Sequence, residues 1–289
     1  MTEDITPPSN IMEEPEPVDL TPNTQQPRSG EDANRKAGFV IPRDFVPLPS
    51  QGRVYPVTSA LYNKTEIEVR YLTAADEDIL TSRSLLRSGK ALDYLLDNCL
   101  IDKSIKTSEL ISGDKNAILT FLRVTGYGAE YKTEIDCPSC ATQLKHAFDL
   151  SKLDMKTLDI DPVIEGENKF IFKTPTGTDL EFKFLNSEED KVISDAQEKI
   201  KKITNSPLDT NVTTRLKTQI VSVNGSSDGG YIADYVDAMP VRDSRALRTY
   251  IEEHDPDLIM KQDYSCSHCG YEGEVEIPIS ISFFWPDTE

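Results

Sequence analysis

Four of the chain's five cysteines form two pairs of identical spacing, and cysteine pairs of this kind bind metals. Each pair is a Cys-x-x-Cys motif with a segment of extended character on either side. Such a motif is a zinc knuckle, because it offers two thiolates to one tetrahedral Zn²⁺. Two knuckles complete a four-thiolate site of the zinc-ribbon type. The predicted ligands are Cys137, Cys140, Cys266 and Cys269.

The predicted zinc is structural, because four thiolates leave no open coordination position for water or substrate. Residues 141–265 must loop out between the knuckles, so the metal would join the two ends of a large domain. Three alternatives remain open. The motifs could be redox pairs, although neither is followed by the βαβ pattern that such pairs require. They could be two local disulfides, which are uncommon in reducing compartments. His268 could replace one cysteine as a ligand.

The elements around the knuckles predict an α+β fold of mixed helices and antiparallel hairpins, with the split zinc ribbon joining its two ends. Alternating apolar residues predict a strand at 65–72 and a hairpin of 169–173 with 179–185. Helices are predicted after Thr73, at 92–100 and 115–124, from Asn186 to about 203, at 231–239 and from Asp243. Cys99 falls on the apolar face of helix 92–100, so we expect it to be a packing residue.

Two features of this pattern have more than one interpretation. Residues 67–73 and 180–186 are alike, since each is a strand that leads into an acidic helix start; this could be a duplicated unit or a common local solution. The apolar segment 277–286 favours either a β-edge that docks a partner or burial against the protein's own core. The β-branched segment 216–223 is expected to be extended.

These elements suggest four parts. Residues 1–38 are rich in proline and acidic side chains, and we expect an arm that is disordered or ordered by a partner. Residues 39–150 form an N-terminal α/β part with the first knuckle. Residues 151–259 are an inserted hairpin with helices. Residues 260–289 hold the second knuckle and a C-terminal strand.

Composition narrows the function. The net charge of −19 argues against nucleic acid, because a protein that neutralises phosphates needs a basic excess. The sequence has neither an apolar run of membrane-spanning length nor a signal peptide at its start. With three histidines, no nucleophile motif and no phosphate loop, it offers no catalytic residues and no small-molecule site. The expectation is a protein that is not an enzyme.

Several short stretches resemble a known family. They are Val-Pro-Leu-Pro-Ser-Gln-Gly-Arg-Val-Tyr at 46–55, Leu-Thr-Ala-Ala-Asp-Glu-Asp at 72–78, and residues 220–225, 239–243 and 283–286. The first two resemble the LPSxGxxY stretch and the LTAxDED helix start of baseplate proteins from contractile-tailed bacteriophages, the T-even-type hub and hub-assembly family. The proline-rich arm has no counterpart in that family.

The resemblance implies a structural or assembly protein of a phage tail baseplate, either a hub component or a hub-assembly chaperone. Its partners would be other baseplate and tail proteins, and self-association is left open. It would reside in the virion tail baseplate, or in the host cytoplasm during assembly. The alternative is a zinc-ribbon module that binds nucleic acid or serves transcription, followed by a hydrolase whose site the sequence does not display.

Overall fold

The computed structural model describes residues 35–36, 39–194, 211–279 and 281–284. It confirms the α+β prediction, since helices are combined with small antiparallel sheets throughout this part of the chain. One hydrophobic core runs from β-strands near residue 46 to the last described residues. The predicted arm 1–38 lies outside the described residues, apart from 35–36.

Eight helices alternate with thirteen short strands in the described ranges. The helices are α1 Ala74–Thr81, α2 Arg83–Arg87, α3 Ala91–Cys99, α4 Ser112–Tyr127, α5 at 187–194, α6 Asn211–Gln219, α7 Gly229–Ala238 and α8 Val241–His254. The strands are β1 Arg35–Lys36, β2 Phe39–Val40, β3 Arg43–Pro47, β4 Glu66–Arg70, β5 Glu130–Asp136, β6 Gln143–Asp149, β7 Met155–Lys156, β8 Phe170–Lys173, β9 Asp179–Phe182, β10 Ile220–Val223, β11 Asp257–Leu258, β12 Lys261–Ser265 and β13 Glu272–Glu276.

All strand pairing is antiparallel. Five sheets are simple pairs, namely β1 with β2, β3 with β4, β5 with β6, β7 with β11, and β12 with β13. The sixth has three strands in the order β10-β9-β8.

Helix α4 lies in the middle of the core. Its residues 117–124 are all buried, which is unusual for a helix in a small domain and leaves no solvent face there. Its first turn presses against the chain before β11, where a Cβ on Gly113 would lie 1.8 Å from the carbonyl oxygen of Pro256. Only glycine permits this approach.

Arg123 near the end of α4 joins the helix to the segment that follows it and to the C-terminal segment. Its Nε, Nη1 and Nη2 donate to the carbonyl oxygens of Phe283 (2.6 Å), Gly128 (2.5 Å) and Glu130 (2.9 Å). Two tyrosine ring centroids lie 5.7 and 5.8 Å from its guanidinium carbon. Burial lowers the pKa of this guanidinium, and three carbonyl acceptors with two π faces offset the loss of water.

The C-terminal apolar segment, predicted to be either a β-edge or buried against the core, is buried in its described part. The predicted β-edge is wrong for the described part, because Ile281–Phe284 form a 3₁₀ turn. Phe283 and Phe284 are fully buried, so the alternative of burial against the protein's own core is confirmed for them. The apolar side chains gain more from the core around Arg123 than an exposed strand would allow. Trp285 lies outside the described residues.

Other observed element boundaries differ from the predicted ones. The helix predicted after Thr73 breaks at Ser82 into α1 and α2. The segment 216–223 is extended only from Ile220, because its first residues finish α6. The helix predicted to about residue 203 is described as far as 194, and the remainder lies outside the described residues. Cys99 is fully buried, as expected for a packing residue.

Candidate metal centre

Two hairpins carry the two cysteine pairs at their tips. Strands β5 and β6 pair in register along their full lengths, and so do β12 and β13. Helix α4 leads into the first hairpin, and α8 leads through β11 into the second. Both hairpins therefore leave the core from the end of a long helix, and their tips meet although the sequence separates them widely.

The two tips have the same backbone turn. The N–H groups of Ala141 and Gly270 donate to the carbonyl oxygens of Cys137 and Cys266, at 2.9 Å in each case. Cys137 and Cys266 in turn donate their own N–H groups to the carbonyl five residues further on. Closing this turn requires positive φ, which is 54° at Ala141 and 73° at Gly270. The turn aims both sulfur atoms of each pair to the same side.

The four sulfur atoms form one cluster. The Sγ atoms of Cys137, Cys140, Cys266 and Cys269 all lie within 4.8 Å of one another. Two distances across the hairpins are 3.7 Å, from Cys137 to Cys269, and 3.9 Å, from Cys140 to Cys266. Both match the edge of about 3.8 Å that a tetrahedron with Zn–S bonds of about 2.3 Å would have. They exceed a disulfide bond of about 2.05 Å by far, and all five cysteines are free thiols.

Electrostatics would favour a cation in this cluster. Hydrogen bonds from the side chain and backbone of Thr142 lower the pKa of the Cys140 thiol to about 5. The pKa of the Cys269 thiol is lowered by a backbone hydrogen bond from Tyr271, but burial and the neighbouring sulfurs raise it overall to about 11. The first thiolate forms easily and the later ones are repelled by it. A divalent cation removes that repulsion, because all four sulfurs can then be anionic.

Contacts between the hairpins hold the sulfurs in place. The side-chain amide of Gln262 on β12 donates to the carbonyl oxygen of Asp149 (2.5 Å), while its Oε1 accepts the N–H of Asp149 (3.0 Å). The imidazole of His146 lies 4.7 and 5.2 Å from the rings of Phe148 and Tyr264. His146 is thus a packing residue between the two hairpins.

The cluster is buried on one side and open on the other. Cys137 and Cys266 are buried, Cys140 is half-buried and Cys269 is exposed. Among the described residues, these four are the cysteine, histidine and carboxylate groups that converge closely enough to hold a metal ion. His268 lies outside this group and acts as a hydrogen-bond partner of Cys140.

A buried polar network that sequence reasoning missed lies at the other end of α4. The carboxylate of Asp114 accepts hydrogen bonds from the N–H (2.9 Å) and Oγ (2.5 Å) of Ser50 and from the hydroxyl of Tyr55 (2.6 Å). The Tyr55 oxygen also accepts the N–H of Ile111 at 3.1 Å. Burial raises the pKa of Asp114, and these donors oppose the rise. Ser50 and Tyr55 are two of the named positions of the LPSxGxxY stretch. That stretch was the feature of the sequence that could have indicated this network.

Comparison with known families decides what kind of protein this is. A family model described as T4 bacteriophage base plate protein matches residues 49–285. The chain belongs to that family. The match begins next to Ser50 and includes both hairpins and the C-terminal aromatic residues, so it confirms the resemblance found in the sequence. Searches of curated proteins and of solved structures return no match.

Membership places this baseplate protein among components of a phage tail. The family is one of structural proteins, which agrees with the expectation of a protein that is not an enzyme and with partners among other tail proteins. None of the helices in the described ranges is both long enough and apolar enough to span a membrane.

Proposed function

We propose that this protein is a structural or assembly component of the baseplate hub, acts through contacts with other tail proteins, and is stabilised by one Zn²⁺ bound to Cys137, Cys140, Cys266 and Cys269. The match of the baseplate family model over residues 49–285 carries the first part. The four sulfurs within 4.8 Å of one another carry the second. Hub component and hub-assembly chaperone are two forms of this function, and they differ in whether the chain stays in the particle.

The donor set favours zinc over other metals. Soft thiolates select Zn²⁺, Cu⁺ or iron–sulfur clusters, and four thiolates from two Cys-x-x-Cys knuckles in one compact cluster are typical of structural zinc. The metal would close the gap between the two hairpin tips, which the core contacts only from one side. Binding would therefore add to folding stability, as it does in other small metal-linked domains.

Metal analysis of the purified full-length chain tests the zinc. We expect about one zinc per chain in the wild type, and loss of most of it in Cys137→Ser and in Cys266→Ser, with a lower unfolding temperature. His268→Ala is the matched control, because it alters the same knuckle while leaving all four sulfurs; it should keep its zinc. Zinc-free wild-type protein with four titratable thiols would contradict the site, and zinc loss in His268→Ala would make that residue a ligand.

Quantitative mass spectrometry of particles and of the soluble fraction tests the hub role. A small, fixed number of copies per purified particle indicates a hub component. Presence only in the soluble fraction, in complexes with tail proteins, indicates an assembly chaperone. Absence from both would contradict the proposed function, and salt-sensitive binding to DNA would then favour the nucleic-acid alternative.

A further inference from the structure

The two halves of the described chain repeat the same order of elements. In both halves a hairpin is followed by a capped helix, a second helix, a longer helix and finally a hairpin with a cysteine pair. The first half also has α2 after its capped helix, and the second also has β10 and α7 before its longer helix. The first series occupies residues 43–149 and the second occupies 169–276. The correspondence can be followed residue by residue.

The long helices and the knuckles correspond at a constant spacing. Asp114 is the third residue of α4 and Asp243 is the third residue of α8, and both are fully buried. Position numbers differ by 23 from Asp114 to Cys137 (114 to 137), and by 23 from Asp243 to Cys266 (243 to 266). An offset of 129 residues therefore maps α4 and the first knuckle onto α8 and the second.

The opening hairpins correspond in register and in their turns. Val46 pairs with Ile67 in β3–β4, and Phe172 pairs with Leu180 in β8–β9. Each first strand is followed directly by a buried residue, a proline and a hydroxyl residue, which are 48–50 in one half and 174–176 in the other. The hydroxyl of Ser50 bonds to Asp114, and that of Thr176 bonds to Asp243. Each half therefore has a hydrogen bond between a hydroxyl group of the hairpin turn and the buried aspartate of the long helix. We call this hydrogen bond the lock of that half.

The middle helices correspond as well. Helices α3 and α6 are each followed directly by a residue that pairs with the second hairpin strand. That residue is Leu100, opposite Val69, in the first half and Ile220, opposite Phe182, in the second. Val69 and Phe182 both lie four positions before a helix cap.

The helix caps carry the same polar contacts. The carboxylate of Asp76 accepts the N–H of Thr73 at 2.8 Å, and that of Glu189 accepts the N–H of Asn186 at 3.1 Å. A basic residue six positions earlier forms an ion pair with each carboxylate; these are Arg70 with Asp76 and Lys183 with Glu189. The likeness noticed in the sequence at these two stretches is therefore part of a longer correspondence.

The metal centre has the symmetry that such a repeat requires. Exchanging the first knuckle with the second turns the Cys137–Cys269 contact of 3.7 Å into the Cys266–Cys140 contact of 3.9 Å. Each half supplies one knuckle with the same turn. The halves differ by additions, mainly α7 before α8 and a longer hairpin turn between β3 and β4.

We propose that the chain is a tandem duplication of one unit, with residues 43–149 and 169–276 as its copies, and that the cysteine cluster is the junction of two equivalent half-sites. Asp114 and Asp243 are the positioning residues that fix each hairpin to the helix that delivers its knuckle. This division places one knuckle in each copy, in contrast to the inserted part 151–259 expected from sequence. The metal at the junction rests on the zinc site proposed above.

Hydrogen exchange of the full-length protein tests the equivalence of the two locks. Thr176→Val removes the hydroxyl without changing shape, and we expect about tenfold faster exchange in β8–β9 and also in β12–β13. Ser50→Ala should do the same in β3–β4 and β5–β6. Thr176→Ser is the matched control, because it installs the residue of the first half and should leave exchange within about twofold. Faster exchange confined to the mutated turn, or a different pattern in the two halves, would overturn the duplication.

Removal of the metal tests the junction. Zinc content is measured first. A zinc-free protein would contradict the proposed metal site, and the Thr176→Val and Ser50→Ala variants would still test the duplication. When a chelator strips the zinc-loaded protein, exchange in β5–β6 and in β12–β13 should increase together, to within about threefold of each other. Loss of protection in only one hairpin would mean that the knuckles are not equivalent half-sites.

Discussion

The buried aspartates of the two halves occupy the same helix position but make different numbers of contacts. Asp114 receives three hydrogen bonds, two from Ser50 and one from Tyr55. Asp243 receives its bond from Thr176, and its Oδ1 has no partner in the part of the chain that the structure describes. Since an unpaired buried oxygen costs free energy, the first half has the more complete lock.

The difference shows how each half stabilises its hairpin. In the first half, polar bonds fix a long turn whose Leu48, Val54 and Leu61 are also buried in the core. In the second half the turn is short, and aromatic packing does more: the ring of Tyr250 on α8 lies 5.1 and 5.9 Å from those of Phe172 and Phe182. Both halves therefore pack apolar residues at the hairpin, and they differ in the number of hydrogen bonds that the aspartate of the long helix accepts.

The first turns of the two long helices differ even more. Gly113 in α4 is wedged against Pro256, whereas the corresponding residue of α8, Arg242, is exposed. Helix α4 lies inside the core and α8 lies at its edge. Corresponding helices of the two halves thus differ in burial. Substitutions at Gly113 and Arg242 should therefore differ in their effect on stability.

Gly113→Ala should give the largest effect. Its Cβ would lie 1.8 Å from the Pro256 carbonyl oxygen and 2.8 Å from the carbonyl carbon, so backbone must move. We expect a loss of about 4 kcal/mol or more in the free energy of unfolding, measured by chemical denaturation. Arg242→Ala is the matched control and should change stability by less than about 0.5 kcal/mol. Similar losses at both positions would mean that α4 is no more confined than α8.

The aspartate locks come next. Asp114→Asn replaces an acceptor of three bonds with a group whose NH₂ faces donors, and we expect a loss of about 3 kcal/mol. Asp243→Asn affects one bond and should cost about 1 kcal/mol. Urea denaturation of both variants gives the difference directly. A larger loss of unfolding free energy for Asp243→Asn than for Asp114→Asn would contradict this order. It would show that the number of hydrogen bonds does not determine the stability that each aspartate contributes.

Two aspartates of the second half, Asp255 and Asp257, make its stability depend on pH. Burial and the neighbouring Asp257 raise the pKa of Asp255 from 3.8 to about 7. Burial, opposed by hydrogen bonds from Asn116 and Leu258, likewise raises that of Asp257 to about 6. The folded state binds these protons more tightly than the unfolded state, so their stabilising contribution is complete below pH 4 and is lost as pH rises through 6 to 7.

Asp255→Asn should therefore stabilise the protein at pH 8 by roughly 2 kcal/mol and leave it nearly unchanged at pH 4 to 5. Thermal unfolding across pH 4 to 8 measures this. Glu253→Gln is the control, because it removes an equal charge from the exposed end of α8 and should not depend on pH in the same way. A gain at pH 5 as large as that at pH 8 would contradict the titration of Asp255.

Much of this molecule could be predicted from local patterns. The cysteine spacing predicted two knuckles, and their sulfurs do converge. Alternation predicted the hairpin of β8 with β9 and the strand β4, because each has one buried face. The caps at Thr73 and Asn186 marked helix starts, since short polar side chains there are bonded to the first turn.

Long-range partners could not be predicted in this way. Asp114 looks like any acidic residue in a first helical turn until Ser50, 64 positions away, is brought against it. The C-terminal phenylalanines suggested an edge strand, because nothing local reveals that Arg123 binds the Phe283 carbonyl. In the sequence the duplication was visible only at the cysteine pairs and at the helix caps, because elsewhere the copies share geometry and burial more than residue type.

The knuckle turns offer the smallest and most direct comparison of the two halves. Ala141 and Gly270 close equivalent turns at positive φ, 54° and 73°, and both positions are exposed. An L-residue with a Cβ is strained in this region by roughly 1 kcal/mol, whereas glycine is not. Ala141→Gly should therefore stabilise the metal-bound protein slightly, by up to about 0.5 kcal/mol once glycine's greater freedom in the unfolded chain is subtracted.

The reverse exchange, Gly270→Ala, should destabilise it by about 1 kcal/mol, although no atom lies within 4 Å of the added methyl group. Thermal unfolding of the two single variants and of the double exchange measures both effects. The double exchange transfers each turn residue to the other copy, so its effect should equal the sum of the two single effects. A double variant that departs from this sum would show that the knuckles respond to each other through the shared cluster.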